Sequence, residues 1–383
     1  SIYLIYYLIV FVFFTPVLKN NPLYSPVQAY VKVRYAIYNF SLIFFVYRFY
    51  LRSYKIFLNL FLYSSIIIII LFIISIFTGL DILPVVLGER RFIATKRLFM
   101  ESYGLMYILI TMGVVQLVFK FRNNKNKLIL IAFVLMFIIW VLAILRRHII
   151  GTFIYFILAS FLFNYANRKT LIPIKKIVAV FFYSILLFFV LRVSFPEYAD
   201  ATISAIEESV LVIQTGKTSS GREDVRLGLG KSFMQNIILN NPYFGTGFDN
   251  RWRTKAGDDA GFEAADYPFL SAIAMTGIIG LLVFIPIYIV LIRTLIYDIK
   301  YLRNNVIKQN SIETFLFVTM IIYFLYHLIQ FMNWFFPVAV FSHAGHKRWY
   351  IYLAIYYASR KIFYELENAN SRVMKGEHSH SIY

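Results

Sequence analysis

The chain has 383 residues, 60% of them hydrophobic and 19% aromatic, with only 15% charged and a formal charge of +19. A soluble domain carries about 25% charged residues, so the basic excess does not point to a nucleic-acid binder, and the chain reads as an integral membrane protein. Cysteine is absent, which excludes disulfides, thiolate nucleophiles and zinc–thiolate sites.

A bilayer-crossing helix needs about 20 apolar residues, with about 17 as the low end. About ten such stretches occur, near 2–18, 35–50, 56–79, 104–119, 128–145, 149–166, 177–193, 268–292, 312–332 and 347–360. The first is followed by Lys19-Asn20-Asn21-Pro22, which offers no small-residue cleavage site, so it reads as a span. The expected architecture is an all-α polytopic membrane protein. Residues 1–193 form an N-terminal bundle of about seven helices, 194–267 one large extracytoplasmic loop, 268–360 the C-terminal spans and 361–383 a cytoplasmic tail. Lys and Arg cluster in the short segments 51–55, 120–127, 167–176 and 293–311 and in the tail from Arg360, which places these on the cytoplasmic side.

The basic residues left outside are the informative ones. Arg90 and Arg91 fall with Lys96 and Arg97 near outer helix ends, and Arg146-Arg147-His148 reads as a polar turn between two apolar helices. Snorkelling or contact with lipid headgroups explains such residues singly. Together they fit a surface for an anionic lipid substrate, and an Arg pair between spans faces a cavity or a phosphate.

The 194–267 segment holds most of the acidic residues, with basic Arg222, Arg226, Arg251 and Arg253. Ile203, Ile206, Val210 and Ile213 recur at helical spacing opposite Glu207 and Glu208, which predicts an amphipathic helix over 201–214. A second helix is expected from Arg222 to Leu239, ended by Asn240-Asn241-Pro242, with a tight loop at Gly245-Thr246-Gly247. Long ordered loops are usually functional. Trp252, between Arg251 and Arg253, is the best candidate for stacking on a sugar face, although most aromatics in such a chain belong to lipid-facing or belt positions. His327 lies alone in a span, where a histidine commonly bonds a neighbouring helix, and no histidine set fits a metal.

Ser220-Gly221-Arg222, then Asn241-Pro242-Tyr243-Phe244-Gly245-Thr246-Gly247, then Thr276-Gly277-Ile278-Ile279-Gly280-Leu281 follow in order. This series resembles the O-antigen polymerase and O-antigen ligase superfamily, most clearly over 215–292. The resemblance implies a C-type membrane glycosyltransferase fold and a metal-independent reaction without cofactor. The donor would be an undecaprenyl-pyrophosphate-linked glycan and the acceptor a sugar hydroxyl, on the periplasmic face of a bacterial inner membrane. A flippase and a chain-length regulator would be its partners; nucleic acid would not.

By the same resemblance Arg222 matches the Gly-Arg motif, and Arg147 or Arg146 the arginine at an outer helix end. A permanently charged bidentate fork suits a departing diphosphate, and preorganised cations lower the barrier as charge develops. Superfamily ligases carry a His-Asn pair before the Thr-Gly span, whereas Asp266 stands there in this chain. A carboxylate can accept the hydroxyl proton, or it can cap the following helix. The missing histidine favours a polymerase over a ligase. Arg90, Arg91, Arg226, Arg251, Trp252, Arg253, Gly245 and Gly247 are the candidate substrate-binding residues. A lipid-linked oligosaccharide flippase is the alternative of a different class, and should show internal symmetry and paired broken helices.

Overall fold

In the computed structural model the described residues are 26–78, 86–90, 93–99, 103–121, 125–142, 146–167, 242–245, 268–305, 311–329 and 345–374, with scattered positions between 189 and 240. They are helical apart from one hairpin. The elements are α1 (Pro26–Thr78), β1 (Val86–Arg90), β2 (Ile93–Phe99), α2 (Tyr103–Phe119), α3 (Asn126–Leu142), α4 (Arg146–Ala166), α5 (Pro268–Asn305), α6 (Ile312–Ile329) and α7 (Gly345–Met374). The expected spans 2–18 and most of 177–193 lie outside the described residues.

The α1 sequence contains no Gly or Pro after Pro26, and Gly79 follows its last residue. Pro at the first position and Gly past the end are the usual helix punctuation. Its 53 residues would run about 80 Å as one rod, far more than the roughly 30 Å of a bilayer core. The helix leaves helical geometry at Ser53 (φ −136°, ψ 28°). This break falls inside the basic 51–55 segment and divides two helical stretches, 26–52 and 54–78, where two spans are expected, with a kink at Ser53 in place of a longer loop. Tyr50, on one side of the kink, takes a hydrogen bond from Ser359 at 3.2 Å. Tyr54, on the other, donates to Glu313. Residues Leu42–Ile74 form one stretch long and apolar enough to cross a membrane.

Two compact units divide the chain. One comprises Ile43–Ser194, Tyr297–Tyr326 and Ile351–Tyr383. Its centre is α6, buried at every position from Thr314 to Phe324. A helix that is apolar on all faces is stable only when surrounded. Ser311 caps it, its Oγ accepting from the Thr314 amide at 3.2 Å. Tyr155 stacks on Tyr326 at 4.1 Å with Tyr107 beside both, and Phe317 stacks on Phe363 at 4.6 Å. The α2–α3 crossing requires Gly113, because any side chain there would collide with Phe133.

The other unit comprises Ser1–Leu42, Phe195–Ile296 and His327–Tyr350. Ile203, Ser204, Glu207, Val210, Leu211, Gln214 and Thr215 are all helical, as the periodicity of 201–214 predicts, and Val210 is exposed. Helical backbone at Gln235, Asn236, Ile238, Leu239 and Asn240 agrees with the end of the second expected helix.

Three expectations need correction. Arg90, Lys96 and Arg97 lie on the β1–β2 hairpin, not at helix ends. The strands run antiparallel with Glu89 opposite Lys96, and the register shifts between Glu89 and Arg90. Arg146, Arg147 and His148 open α4 instead of forming a turn before it. Finally, α5 and α7 continue well past 292 and 360, to Asn305 and Met374, because contacts between their ends, described below, stabilise turns that are too polar to be read as spans.

Candidate functional site

Two segments singled out by their motifs meet at a break in α5. Gly277 has φ 66° and ψ −177°, a conformation essentially restricted to glycine. Such a break leaves amides without helical carbonyls. Here Ile278 N–H donates to the Pro242 carbonyl at 2.9 Å and Ile279 N–H to the Tyr243 carbonyl at 3.1 Å. The 242–244 turn is therefore seated on the helix break, and a Cβ at Gly277 would collide with the Tyr243 carbonyl. Gly245 follows, buried and left-handed at φ 67°. Both glycines thus hold left-handed backbone that a side chain would strain, Gly277 at the break and Gly245 just after the turn seated on it.

This arrangement fixes residues 242–244 of the 194–267 region against a hydrophobic helix. It also determines what the break cannot do. A helix N-terminus attracts anions through free amides, but those of Ile278 and Ile279 are taken by carbonyls.

Arg146 and Arg147 occupy the first turn of α4, where the helix dipole is positive. Arg90 ends β1. The remaining candidates, Arg91, Arg222, Arg226, Gly247, Arg251, Trp252, Arg253 and Asp266, lie outside the described residues. Of the predicted set, Gly245 follows directly on the 242–244 turn that meets the Gly277 break. Among the described residues no three His, Asp or Glu side chains converge as a metal set.

A second polar centre escaped the sequence reading. Asp298, fully buried on α5, accepts from Arg360 Nε at 2.8 and 3.1 Å to its two oxygens. It also accepts from Tyr356 Oη at 2.6 Å and Tyr364 Oη at 2.9 Å. The Arg360 guanidinium lies over the Tyr364 and Tyr297 rings, at 4.8 and 5.8 Å. Burial, and then the Asp298 charge, push the Tyr364 phenol well above its ordinary pKa, so it stays a donor to the carboxylate. Buried charge is tolerated only when paired and fully hydrogen-bonded, and every oxygen of Asp298 has its donor. The signal available in the sequence was the four-residue spacing of Tyr356, Arg360 and Tyr364, which puts all three on one face of α7.

Comparison with protein-family models finds no match, and neither does comparison with curated proteins or with solved structures.

Proposed function

We propose that the chain is a multi-pass bacterial inner-membrane glycosyltransferase of the C-type fold. It polymerises undecaprenyl-pyrophosphate-linked oligosaccharide units of a surface polysaccharide on the periplasmic side. The observation that carries this reading is the seating of Pro242 and Tyr243 on the Gly277 break, because two of the three motif segments behind the superfamily resemblance meet there. About ten spans and one large periplasmic loop complete the architecture.

In the reaction Asp266 takes the proton of the acceptor hydroxyl, whose oxygen attacks the anomeric carbon of the donor. The bond from that carbon to the pyrophosphate oxygen breaks, and its electron pair leaves with the diphosphate. Arg222, with Arg147 and Arg146, holds that growing charge, and their fixed cations act most strongly in the transition state. Arg90, Arg91, Arg226, Arg251, Trp252 and Arg253 line the path of donor and acceptor, and a flippase and a chain-length regulator work alongside. The place of Arg146 and Arg147 at the start of α4 supports this.

The kinks at Ser53 and Gly277 favour a second reading, a lipid-linked oligosaccharide flippase, because transporters bind substrate at discontinuous helices. A transport site needs the broken helix end open, however, and at Gly277 carbonyls of the chain occupy it. Purified protein given a defined lipid-linked oligosaccharide separates the readings. A ladder of products is the expected result, and a single transfer identifies a ligase. Unaltered oligosaccharide that crosses the bilayer identifies a flippase. Arg222→Lys keeps the charge but loses the fork; it is expected to lose most polymer, and wild-type lengths would remove Arg222 from the site.

A further inference from the structure

Beside the Asp298–Arg360 pair lies a cavity of about 460 Å³, walled by Tyr47, Tyr297, Tyr357 and Tyr364 with Arg360 and Lys361 as its cations. All of these belong to one compact unit. Asp298 binds Arg360 through Nε, which fixes the plane of the guanidinium. Among the described residues no other hydrogen bond or ion pair of Arg360 is present, so its four Nη–H donors remain for a ligand. A guanidinium held from behind and presented as a fork matches a phosphate better than a mobile lysine does.

The surroundings add a second argument. On α1, Phe44, Phe45 and Phe49 are exposed just where Tyr47 enters the cavity, with Arg48 and Arg52 exposed beside them. On α5, Ile292 and Ile296 are exposed in the turns before Tyr297, and Lys300 and Arg303 in the turns after it. Along both helices exposed apolar side chains thus stand beside exposed cations, with Arg48 between Phe45 and Phe49 and Arg293 between Ile292 and Ile296. Tyrosine and snorkelling basic residues take that position at a membrane–water interface. We propose that this cavity binds a phosphate group, and that an anionic phospholipid supplies it, its headgroup on the cations and its acyl chains on the apolar border. The proposal does not depend on the glycosyltransferase reading.

Local charge is nearly balanced, because Asp298 offsets Arg360 and Glu365 lies 3.6 Å from Lys361. Directed donors therefore hold the ligand, and Glu365 opposes it. The test uses the full chain in neutral detergent, with bound lipid measured by native mass spectrometry. Phosphatidylglycerol is expected to bind about tenfold more tightly than phosphatidylcholine, because both present a phosphate to the donors but the choline cation would lie against Arg360 and Lys361. Lys361→Gln should weaken phosphatidylglycerol about tenfold, Arg360→Lys at least as much, and Glu365→Gln should strengthen it. Lys361 and Glu365 are half exposed or more, so their variants fold even where Arg360 variants do not. Equal binding of the two lipids, or no response to Lys361→Gln and Glu365→Gln, overturns the proposal. Displacement of phosphatidylglycerol by millimolar inorganic phosphate would keep the phosphate chemistry but overturn the lipid as its source.

Discussion

Replacing Gly277 with alanine isolates the contact on which the proposed site rests. The backbone there, at φ 66° and ψ −177°, is strained for any L-residue by about 1–3 kcal/mol. The new methyl would also strike the Tyr243 carbonyl, so the turn must move and both hydrogen bonds to Ile278 and Ile279 weaken. At about 1 kcal/mol net for each bond, the total comes to about 3–5 kcal/mol. The change can be absorbed locally, by undocking of the turn, or globally, by lower stability. Hydrogen exchange across 276–282 separates the two. Undocking speeds exchange at Ile278 and Ile279 by about two to three decades while the melting temperature holds, and global loss lowers the melting temperature in detergent. Tyr243→Ala is the control: the side chain is 67% exposed and the contact is made by its backbone, so exchange should barely change. Unchanged exchange and an unchanged melting temperature in Gly277→Ala would refute the seated turn.

Two further outcomes follow from the polar centre on α5 and α7. Asp298→Ala leaves Arg360, Tyr356 and Tyr364 without their shared acceptor, and removal of one partner of a buried ion pair costs about 3–5 kcal/mol. Lys361→Ala breaks an exposed pair at 3.6 Å and should cost below about 1 kcal/mol. Melting temperatures of the two lipid-free variants in the opposite order would sink the assignment of Asp298 as the organising charge. Glu367 supplies a pH test, since burial raises its carboxyl above the usual range. A folded value above the unfolded one stabilises the fold at low pH, and that contribution is lost as pH rises through the folded value. Glu367→Gln should therefore raise the melting temperature at pH 7.5, with the gain shrinking towards pH 4; a gain that grows on acidification would contradict the sign.

The elements themselves were legible in the sequence. Uninterrupted apolar runs bounded by charge locate α2, α3 and α6 to within a few residues, because such runs favour helices that satisfy their own backbone. The basic interruption at 51–55 marks the Ser53 kink that divides the two helical stretches of α1. The hairpin at 86–99 was missed, because its residues offer no steady alternation of apolar and polar types. Extension of α7 beyond Arg360 was missed for a different reason. Its last turns are polar, and Asp298, which orders them, lies 62 residues earlier in the chain.

What the sequence determined, then, is where helices form and which segment is polar, since both depend on neighbours along the chain. Tertiary structure decided which surfaces are covered. Both α1 and α6 hold long apolar runs, yet α6 is enclosed over 314–324 while α1 exposes Phe44, Phe45, Leu60 and Ile67. In a chain apolar on every face, periodicity no longer separates core from surface. Only the contacts with other helices do so, as they alone determine that Asp298 meets Arg360 and that the 242–244 turn closes the break at Gly277.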